Sequence, residues 1–347
     1  MRSDEIKNNF KVISYMAIFI ISFMIIVCSI FITSPRGSTD SFEVEESVIR
    51  YVDGEGVIVK GNDKVKVYNT ESNKVEELDL EDYIVGVVAA EMPAEFSEEA
   101  IKSQSVAART YYFSKRMSPC KAASEHGAEI CSSTHCQAYM DKQERMDKWE
   151  SSKGEGYWNK ISSAVQATKG EVIIYGDELI RYPQFFSMSG GKTEDSINVF
   201  SGDIPYLKSV DSSWDENATK YNTTKTVSAS EFVKTINASY SKSGVTNSNV
   251  QSNVSIVSRS EAGYVNEIKL GDTKISGVDF RKLFDLRSSN FTLDFQGDSV
   301  NISCKGYGHG VGMSQWGANF MGKEGKAYKE ILKHYYTGVE IEKVIYK

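Results

Sequence analysis

Glu91 is the first residue whose type and position suggest chemistry. It follows residues 80–90, which begin acidic, continue apolar and are predicted to be helical, and Met92 before Pro93 should end that helix at about Glu91. A carboxyl group there faces the negative end of the helix dipole, and apolar neighbours shield it from water. Both effects raise a glutamate pKa from about 4.3, as a general acid near neutral pH requires. The alternative is an ordinary solvated glutamate at a helix end.

Histidine and cysteine side chains cluster at His126, Cys131, His135 and Cys136. Two thiolates and two imidazoles form a common structural zinc set, so a metal site is one interpretation. A disulfide between Cys131 and Cys136 is the other. The adjacent His135 and Cys136 could share a metal only from an irregular loop. Cys120, just upstream, complicates both interpretations.

Two glycine-containing segments could contact a ligand. Ser189, Gly190 and Gly191 follow a predicted strand, where the glycines permit close backbone approach or simply form a turn. Residues 306–317 (GYGHGVGMSQWG) carry glycine at every second position through Gly312, which leaves one side of the backbone bare. Such a segment could lie flat against a ligand, and a surface loop is the alternative.

The remaining pattern predicts the elements that hold these groups. Ser97 is a good N-cap for a second helix, which carries Gln104. Residues 57–68 alternate around a turn and predict a β-hairpin. Because helices and hairpins mix without βαβ regularity, we predict an α+β fold, with one large domain that could divide into two lobes.

Composition narrows the class of protein. The chain has 347 residues, a formal net charge of −7 and 25% charged residues, which excludes wholesale disorder. The negative charge and the lack of a basic stripe argue against DNA or RNA as the main partner. The five cysteines are too few for a scaffold built on disulfides.

Residues 12–33 contain no charged residue and no proline. As a helix they would be about 33 Å long, enough to cross a bilayer core of about 30 Å. We therefore predict a cytoplasmic tail at 1–11, a transmembrane anchor at 12–33, a stalk at 34–56 and an exported domain at 57–347. A cleaved signal peptide is the alternative, although residues 31–35 (FITSP) offer no good cleavage site.

Five segments, in this order, resemble the stage II sporulation protein D family, which is related to the amidase enhancers. They are residues 90–93 (AEMP), 99–111 (EAIKSQSVAARTY), 131–137 (CSSTHCQ), 186–191 (FSMSGG) and 308–315 (GHGVGMSQ). The similarity runs from about residue 57 to the C-terminus. It implies a lytic transglycosylase that cleaves peptidoglycan between N-acetylmuramic acid and N-acetylglucosamine in glycan strands stripped of their peptides.

The resemblance also implies residue roles. The catalytic glutamate of the family corresponds to Glu91, which acts as acid and then as base. Structural zinc would be held by the ligand set His126, Cys131, His135 and Cys136. The residues implied to line the glycan groove are Gln104, Arg109, Ser189, Gly190, Gly191, His309, Gly310, Met313, Ser314 and Gln315.

The family context implies partners and a place. The partners are peptidoglycan glycan strands, an amidase (stage II sporulation protein P) that removes peptides first, and a small multispanning membrane protein (stage II sporulation protein M). The place is the cell membrane, with the domain between the mother cell and forespore membranes during engulfment. Two alternatives remain: a glycan-binding amidase activator without catalysis, and a zinc hydrolase built on the His/Cys loop.

Overall fold

The computed structural model describes residues 49–52, 56–200 and 202–347. The strands are β1 (Ile49–Val52), β2 (Gly56–Val59), β3 (Lys64–Asn69), β4 (Lys74–Asp79), β5 (Ile130–Cys131), β6 (Glu171–Tyr175), β7 (Glu178–Leu179), β8 (Phe185–Phe186), β9 (Asn222–Ser228), β10 (Val254–Arg259), β11 (Val265–Leu270), β12 (Thr273–Ser276), β13 (Phe291–Gln296), β14 (Ser299–Lys305), β15 (Met313–Ser314) and β16 (Glu340–Tyr346).

Helices are interspersed among these strands. They are α1 (Leu80–Glu91), α2 (Glu98–Met117), α3 (Lys121–Ser124), α4 (Lys142–Lys148), α5 (Gly154–Ala167), α6 (Ala229–Ser239), α7 (Val250–Asn253), α8 (Gly277–Leu283), α9 (Gln315–Lys323) and α10 (Tyr328–Tyr335), with 3₁₀ turns at Ser196–Asn198 and Ser213–Asn217.

The strands form several small sheets. The largest has the order β1-β2-β16-β6-β7, in which β16 runs parallel to β2 and antiparallel to β6. Two three-stranded sheets, β10-β11-β12 and β13-β14-β9, are antiparallel throughout. The two-residue strands β8 and β15 pair in parallel, which joins the predicted glycine segment 306–317 to the chain preceding Ser189.

Two hydrophobic cores are distinct. The first contains the buried faces of α1, α2 and α5 together with residues of the five-stranded sheet. The second contains α6, α8 and strands from the two three-stranded sheets. Because Glu91 ends α1 and Gln104 lies on α2, the first core positions the predicted catalytic region.

Local sequence explains α1 and α2. Helix α1 begins with Glu81 and Asp82 in its first turn, where carboxylates favour the helix dipole. It ends at Glu91 because Met92 is extended (φ −125°, ψ 139°) before Pro93. The Ser97 hydroxyl accepts a hydrogen bond from the Ala100 amide at 3.3 Å, which confirms the predicted N-cap of α2.

A buried ion pair ties α1 to α2. The Arg109 guanidinium on α2 is fully buried, and its Nε donates to Glu81 Oε1 at 3.0 Å. Its Nη1 donates to the carbonyl of Glu171, the first residue of β6, at 3.0 Å. The Gly170 amide also donates to Glu81 Oε1, at 3.2 Å. This pair therefore fixes the helix that carries Glu91 against the sheet.

The hairpin predicted for residues 57–68 is wrong. Strand β2 pairs with β1 and β16, whereas β3 pairs with β4 and β5, so β2 and β3 belong to different sheets. The alternating pattern correctly indicated two strands, but partners from residues 340–346 and 130–131 compete successfully for their edges. Pairing between distant segments cannot be read from local alternation.

The predictions of an N-terminal membrane helix and of a single-pass membrane location are not supported by the structure. The predicted anchor at 12–33 lies outside the described residues, and no helix in the described ranges is long and apolar enough to cross a membrane. The longest of these, α2, has 20 residues but carries charged side chains along its length, from Glu98 to Arg116. The predicted boundaries at 12, 34 and 57 stay predictions.

The ion pair gives a stability prediction. Substituting Arg109→Met leaves Glu81 buried without its cation, so the free energy of unfolding should fall by about 3–5 kcal/mol. The double variant Arg109→Met/Glu81→Leu removes both charges and should lose less. Urea unfolding of both variants measures this difference, with Lys64→Ala, which breaks an exposed pair with Asp79, as a control that should change little. A double variant as unstable as the single one would contradict the role assigned to the pair.

Candidate functional site

The carboxyl of Glu91 lies at the C-terminal end of α1 and is half-buried. Its Oε1 accepts a hydrogen bond from the Ala138 amide at 2.7 Å. Burial raises the pKa of Glu91, and the Ala138 hydrogen bond offsets part of that rise. Among the described residues, no cation and no second carboxylate contributes to the shift. The group is therefore a single, partly desolvated carboxyl that can hold a proton and still reach solvent.

Gln315 brings the C-terminal segment to the main chain of Glu91. Its Nε2 donates to the Glu91 carbonyl oxygen at 3.1 Å and to Gln104 Oε1 at 3.3 Å. Three predicted site residues, two from consecutive helices and one from the distant C-terminal segment, thus meet at the end of α1. Gln104 is fully buried, and its Nε2 has no hydrogen-bond partner within the described part of the chain.

Gln137 is a residue that the sequence reasoning did not assign. Gln137 follows Cys136 in the chain and is buried. Its Nε2 donates hydrogen bonds to the Tyr83 hydroxyl at 3.0 Å and to the Ala108 carbonyl at 3.4 Å. These bonds anchor the loop that delivers the Ala138 amide to Glu91. The sequence feature that could have identified Gln137 is its position directly after Cys136, a predicted metal ligand.

Asp215 is a second residue missed from the sequence. Its fully buried carboxylate accepts hydrogen bonds from the Ser189 amide at 2.9 Å, the Ser212 hydroxyl at 2.9 Å and the Ser314 hydroxyl at 2.8 Å. Burial raises the pKa of Asp215, while these donors act in the opposite direction. Asp215 therefore joins the two glycine segments, although it lies in a polar stretch without a local signal.

The Ser189 segment forms a tight turn. The Ser189 side chain is fully buried, and its Oγ accepts a hydrogen bond from the Gly191 amide at 3.1 Å. Gly191 has φ +106°, a conformation that favours glycine. The Gly190 amide donates to the Tyr264 hydroxyl at 3.2 Å. The hydroxyl of Ser189 is thus used internally and lacks the setting of a nucleophile.

The bare side of the glycine segment 306–317 is covered by protein. A Cβ atom on Gly308 would lie 2.8 Å from Phe186 Cβ, and one on Gly310 would lie 2.7 Å from the Tyr264 ring. A Cβ atom on Gly312 would lie 2.1 Å from the Gln184 carbonyl oxygen. The glycines are needed for close packing within the domain, so the idea that this face lies flat against a ligand is not supported here.

His309 and the residues after it are held internally. The His309 Nε2 lies 3.1 Å from the Phe185 carbonyl, and its Nδ1 accepts from the Val311 amide at 3.1 Å, which fits a neutral ring. Burial lowers the pKa of His309 to about 4. Met313 and Ser314 are fully buried. Of this segment, Gln315 contacts Glu91 directly. Arg109 lies apart, in its ion pair with Glu81.

A group of side chains that could bind a metal lies in the residues before Ala138. One donor atom from each of Cys120, Cys131, His135 and Cys136 falls within 4.8 Å of the others. This group contains Cys120 and not the predicted ligand His126, whose ring stacks on Tyr68 at 3.9 Å between centroids and whose Nδ1 bonds the Ala122 carbonyl at 2.8 Å. Three cysteines and one histidine match the donor set of a structural zinc site.

The thiols of this group are not in disulfides. Cys120, Cys131 and Cys136 are all free, so the alternative of a Cys131–Cys136 disulfide is not seen. Burial opposes ionisation of Cys131, but hydrogen bonds from Ser133 and the neighbouring thiols lower its pKa to about 7. Burial raises the pKa of Cys136 to about 12, so Cys131 ionises before Cys136. The group is linked to Glu91 through the short segment Cys136-Gln137-Ala138.

Comparison with known proteins places these features in a family. The family described as Stage II sporulation protein matches residues 68–175, which contain Glu91 and the four-donor group. Stage II sporulation protein D of Bacillus amyloliquefaciens is 38% identical over 277 residues, 80% of this chain and 78% of the relative. The protein of the same name from Bacillus subtilis (strain 168) is 37% identical over the same shares.

A more distant relative carries another name. The amidase enhancer of Bacillus subtilis (strain 168) is 30% identical over 305 residues, 74% of this chain and 40% of the relative. The two sporulation proteins match over more of their own length and at higher identity. On these matches, the chain belongs to the stage II sporulation protein D family.

Proposed function

We propose that the protein is a peptidoglycan lytic transglycosylase, with Glu91 as its single catalytic acid and base. The observation that carries this proposal is the half-buried carboxyl of Glu91, whose pKa is raised and which has no second carboxylate among the influences on it. A glycoside hydrolase normally uses two carboxyl groups, one as acid and one as base or nucleophile. A transglycosylase replaces the second group with a hydroxyl of the sugar itself.

Glu91 alone carries out both proton transfers of this reaction. Protonated Glu91 donates its proton to the glycosidic oxygen as the bond between N-acetylmuramic acid and N-acetylglucosamine breaks. The resulting carboxylate then takes the proton of the muramic 6-hydroxyl as that oxygen bonds to the anomeric carbon. The product is a 1,6-anhydro-muramic end, and Glu91 returns to its protonated form. Such acid–base catalysis contributes about 10²–10⁴-fold in rate.

Neighbouring groups support this role by positioning. The Ala138 amide holds one carboxyl oxygen, and the Gln315 amide holds the carbonyl of the same residue. The first contact orients the carboxyl itself, and the second restrains the main chain at the end of α1. We include Gln104 and Gln315 in this proposed site, whereas the buried Arg109 stabilises the helix pair.

The four-donor group is proposed to hold structural zinc. Cys120, Cys131, His135 and Cys136 would supply all four ligands, which leaves no open position for a catalytic water. Bound zinc would supply a cross-link that holds the Cys136-Gln137-Ala138 segment beside Glu91. The proposed substrate is a peptide-stripped glycan strand, and the process is cell-wall remodelling in sporulation, together with an amidase and a membrane protein.

A second candidate function is non-catalytic activation of a partner amidase. The specific observation in its favour is the relative named amidase enhancer, which matches 74% of this chain. The two functions differ in what they require of Glu91. An activator needs the glycan-binding surface and its protein contacts, whereas the transglycosylase also needs the proton of this carboxyl.

The first prediction concerns Glu91→Gln. Purified protein acting on denuded glycan should release 1,6-anhydro-muramic ends, detected by mass spectrometry, and the substitution should abolish them because glutamine cannot carry the proton. Glu95→Gln, a change at an exposed glutamate of the following loop, is the matched control and should retain the activity. Equal product from the wild type and Glu91→Gln would contradict the role of this residue. No product from either would favour the amidase activator.

The second prediction concerns pH. Because Glu91 must be protonated at the start of the reaction and burial raises its pKa, kcat/KM should stay high above the ordinary glutamate range and fall as pH rises through the raised pKa. A pH profile of kcat/KM, checked against unfolding at each pH, measures the position of this alkaline limb. An alkaline limb with an apparent pKa at or below about 4.3, the usual value for glutamate, would contradict the proposal that burial keeps Glu91 protonated.

The third prediction separates Cys120 from His126. Metal analysis of the purified protein should find about one zinc per chain, which Cys120→Ala should lose and His126→Ala should keep. Chelation should lower the melting temperature, since the metal cross-links the loop. If His126→Ala lost the zinc and Cys120→Ala kept it, the proposed ligand set with Cys120 would be wrong. Lost activity after chelation with unchanged melting would favour the zinc hydrolase.

A further inference from the structure

A cavity outside the Glu91 site is exposed on the surface. It has a volume of about 370 Å³ and is lined by Tyr182, Gln184, Phe200, Gly202, Ile204 and Leu207. Tyr182 is 48% exposed and Phe200 is 39% exposed. Exposed apolar groups around one concave site are typical of ligand binding, and the volume suits a small ligand or one sugar unit. No part of the proposed mechanism uses this cavity.

The cavity adjoins the segment that reaches Glu91. The Phe200 ring lies 5.5 Å from the His309 ring, measured between centroids. The Gln184 carbonyl oxygen accepts hydrogen bonds from the Met313 amide at 3.0 Å and from the Tyr336 hydroxyl at 2.8 Å. Two residues after Met313, Gln315 contacts the Glu91 carbonyl. Residues 309–315 thus link the wall of the cavity to the end of α1.

The lining residues define the chemistry of the ligand. None of the six lining residues is charged, and two of them carry aromatic rings that can pack on the apolar face of a pyranose. The Gln184 side chain is half-buried and makes no hydrogen bond to any residue in the described ranges. Its amide offers both a donor and an acceptor, which match the carbonyl and N–H of an acetamido group.

We propose that this cavity is a sugar subsite for an uncharged, N-acetylglucosamine-type residue of the glycan strand, away from the bond at which Glu91 acts. The inference rests on the proposed function in that the strand bound here is the one that Glu91 cleaves. N-acetylmuramic acid fits less well, because its lactyl carboxylate would find no cation among the lining residues. The subsite thus sets which sugar of the alternating strand lies next to the rings.

The test measures binding of N-acetylglucosamine tetramers to the full chain carrying Glu91→Gln, by isothermal titration calorimetry. In this background, Tyr182→Ala and Phe200→Ala should each weaken affinity about tenfold, the effect of losing one aromatic contact of this kind. Tyr182→Phe keeps the ring and should bind close to the parent. Val257→Ala, at a 46% exposed position on β10, is the control and should bind unchanged. Fully deacetylated tetramers, which lack the acetamido group, should bind less well.

The outcomes separate this subsite from the function of Glu91. Parental affinity in both alanine variants would overturn the subsite, as would failure of the parent to bind the tetramer. Cleavage of denuded glycan by the chain with native Glu91 would still stand in either case. Binding through Tyr182 and Phe200 without any cleavage would support the subsite and reject the transglycosylase. Unchanged sugar affinity with lost amidase stimulation in Tyr182→Ala would identify a protein-docking face and overturn the sugar assignment.

Discussion

The arrangement of the site depends on two hydrogen bonds that the side-chain amide of Gln315 donates. This amide donates to the Glu91 carbonyl and to Gln104, so one side chain joins the end of α1, the middle of α2 and the start of α9. Glu91 and Gln315 are 224 positions apart in the chain. The position of the main chain at Glu91 therefore depends on distant segments, and displacement of residues 313–315 would remove a hydrogen bond that holds the end of α1.

Three further interactions support α1 and the segment that contacts it. The Asp215 carboxylate binds Ser314 and the Ser189 turn, which fixes the strand β15 that leads into Gln315. On the opposite side, the four-donor group ends at Cys136, two residues before the amide that contacts the Glu91 carboxyl. The buried pair of Arg109 with Glu81 holds the far end of α1. A single acid with a raised pKa needs this rigid surrounding, because burial alone would favour rearrangement toward water.

Local features were predictable from the sequence, and distant ones were not. The end of α1 followed from Met92 and Pro93, and the start of α2 followed from Ser97, because caps act within a few residues. The strand pairing of residues 57–68 was wrong, since partners far along the chain decided it. Asp215 was missed because two of its three donors, Ser189 and Ser314, come from other segments. The convergence of Cys120, rather than His126, on the other three donors was also missed, because folding decides which side chains come together.

Incorporation of solvent oxygen tests the central claim most directly, because one carboxyl and a sugar hydroxyl should do the work of two carboxyls. Denuded glycan would be digested by the purified protein in water enriched in ¹⁸O, and the new ends would be analysed by mass spectrometry. The account predicts 1,6-anhydro ends that contain no ¹⁸O, since the nucleophile is the 6-hydroxyl of the substrate. Reducing ends that carry one ¹⁸O would show hydrolysis by water and would contradict the role proposed for Glu91.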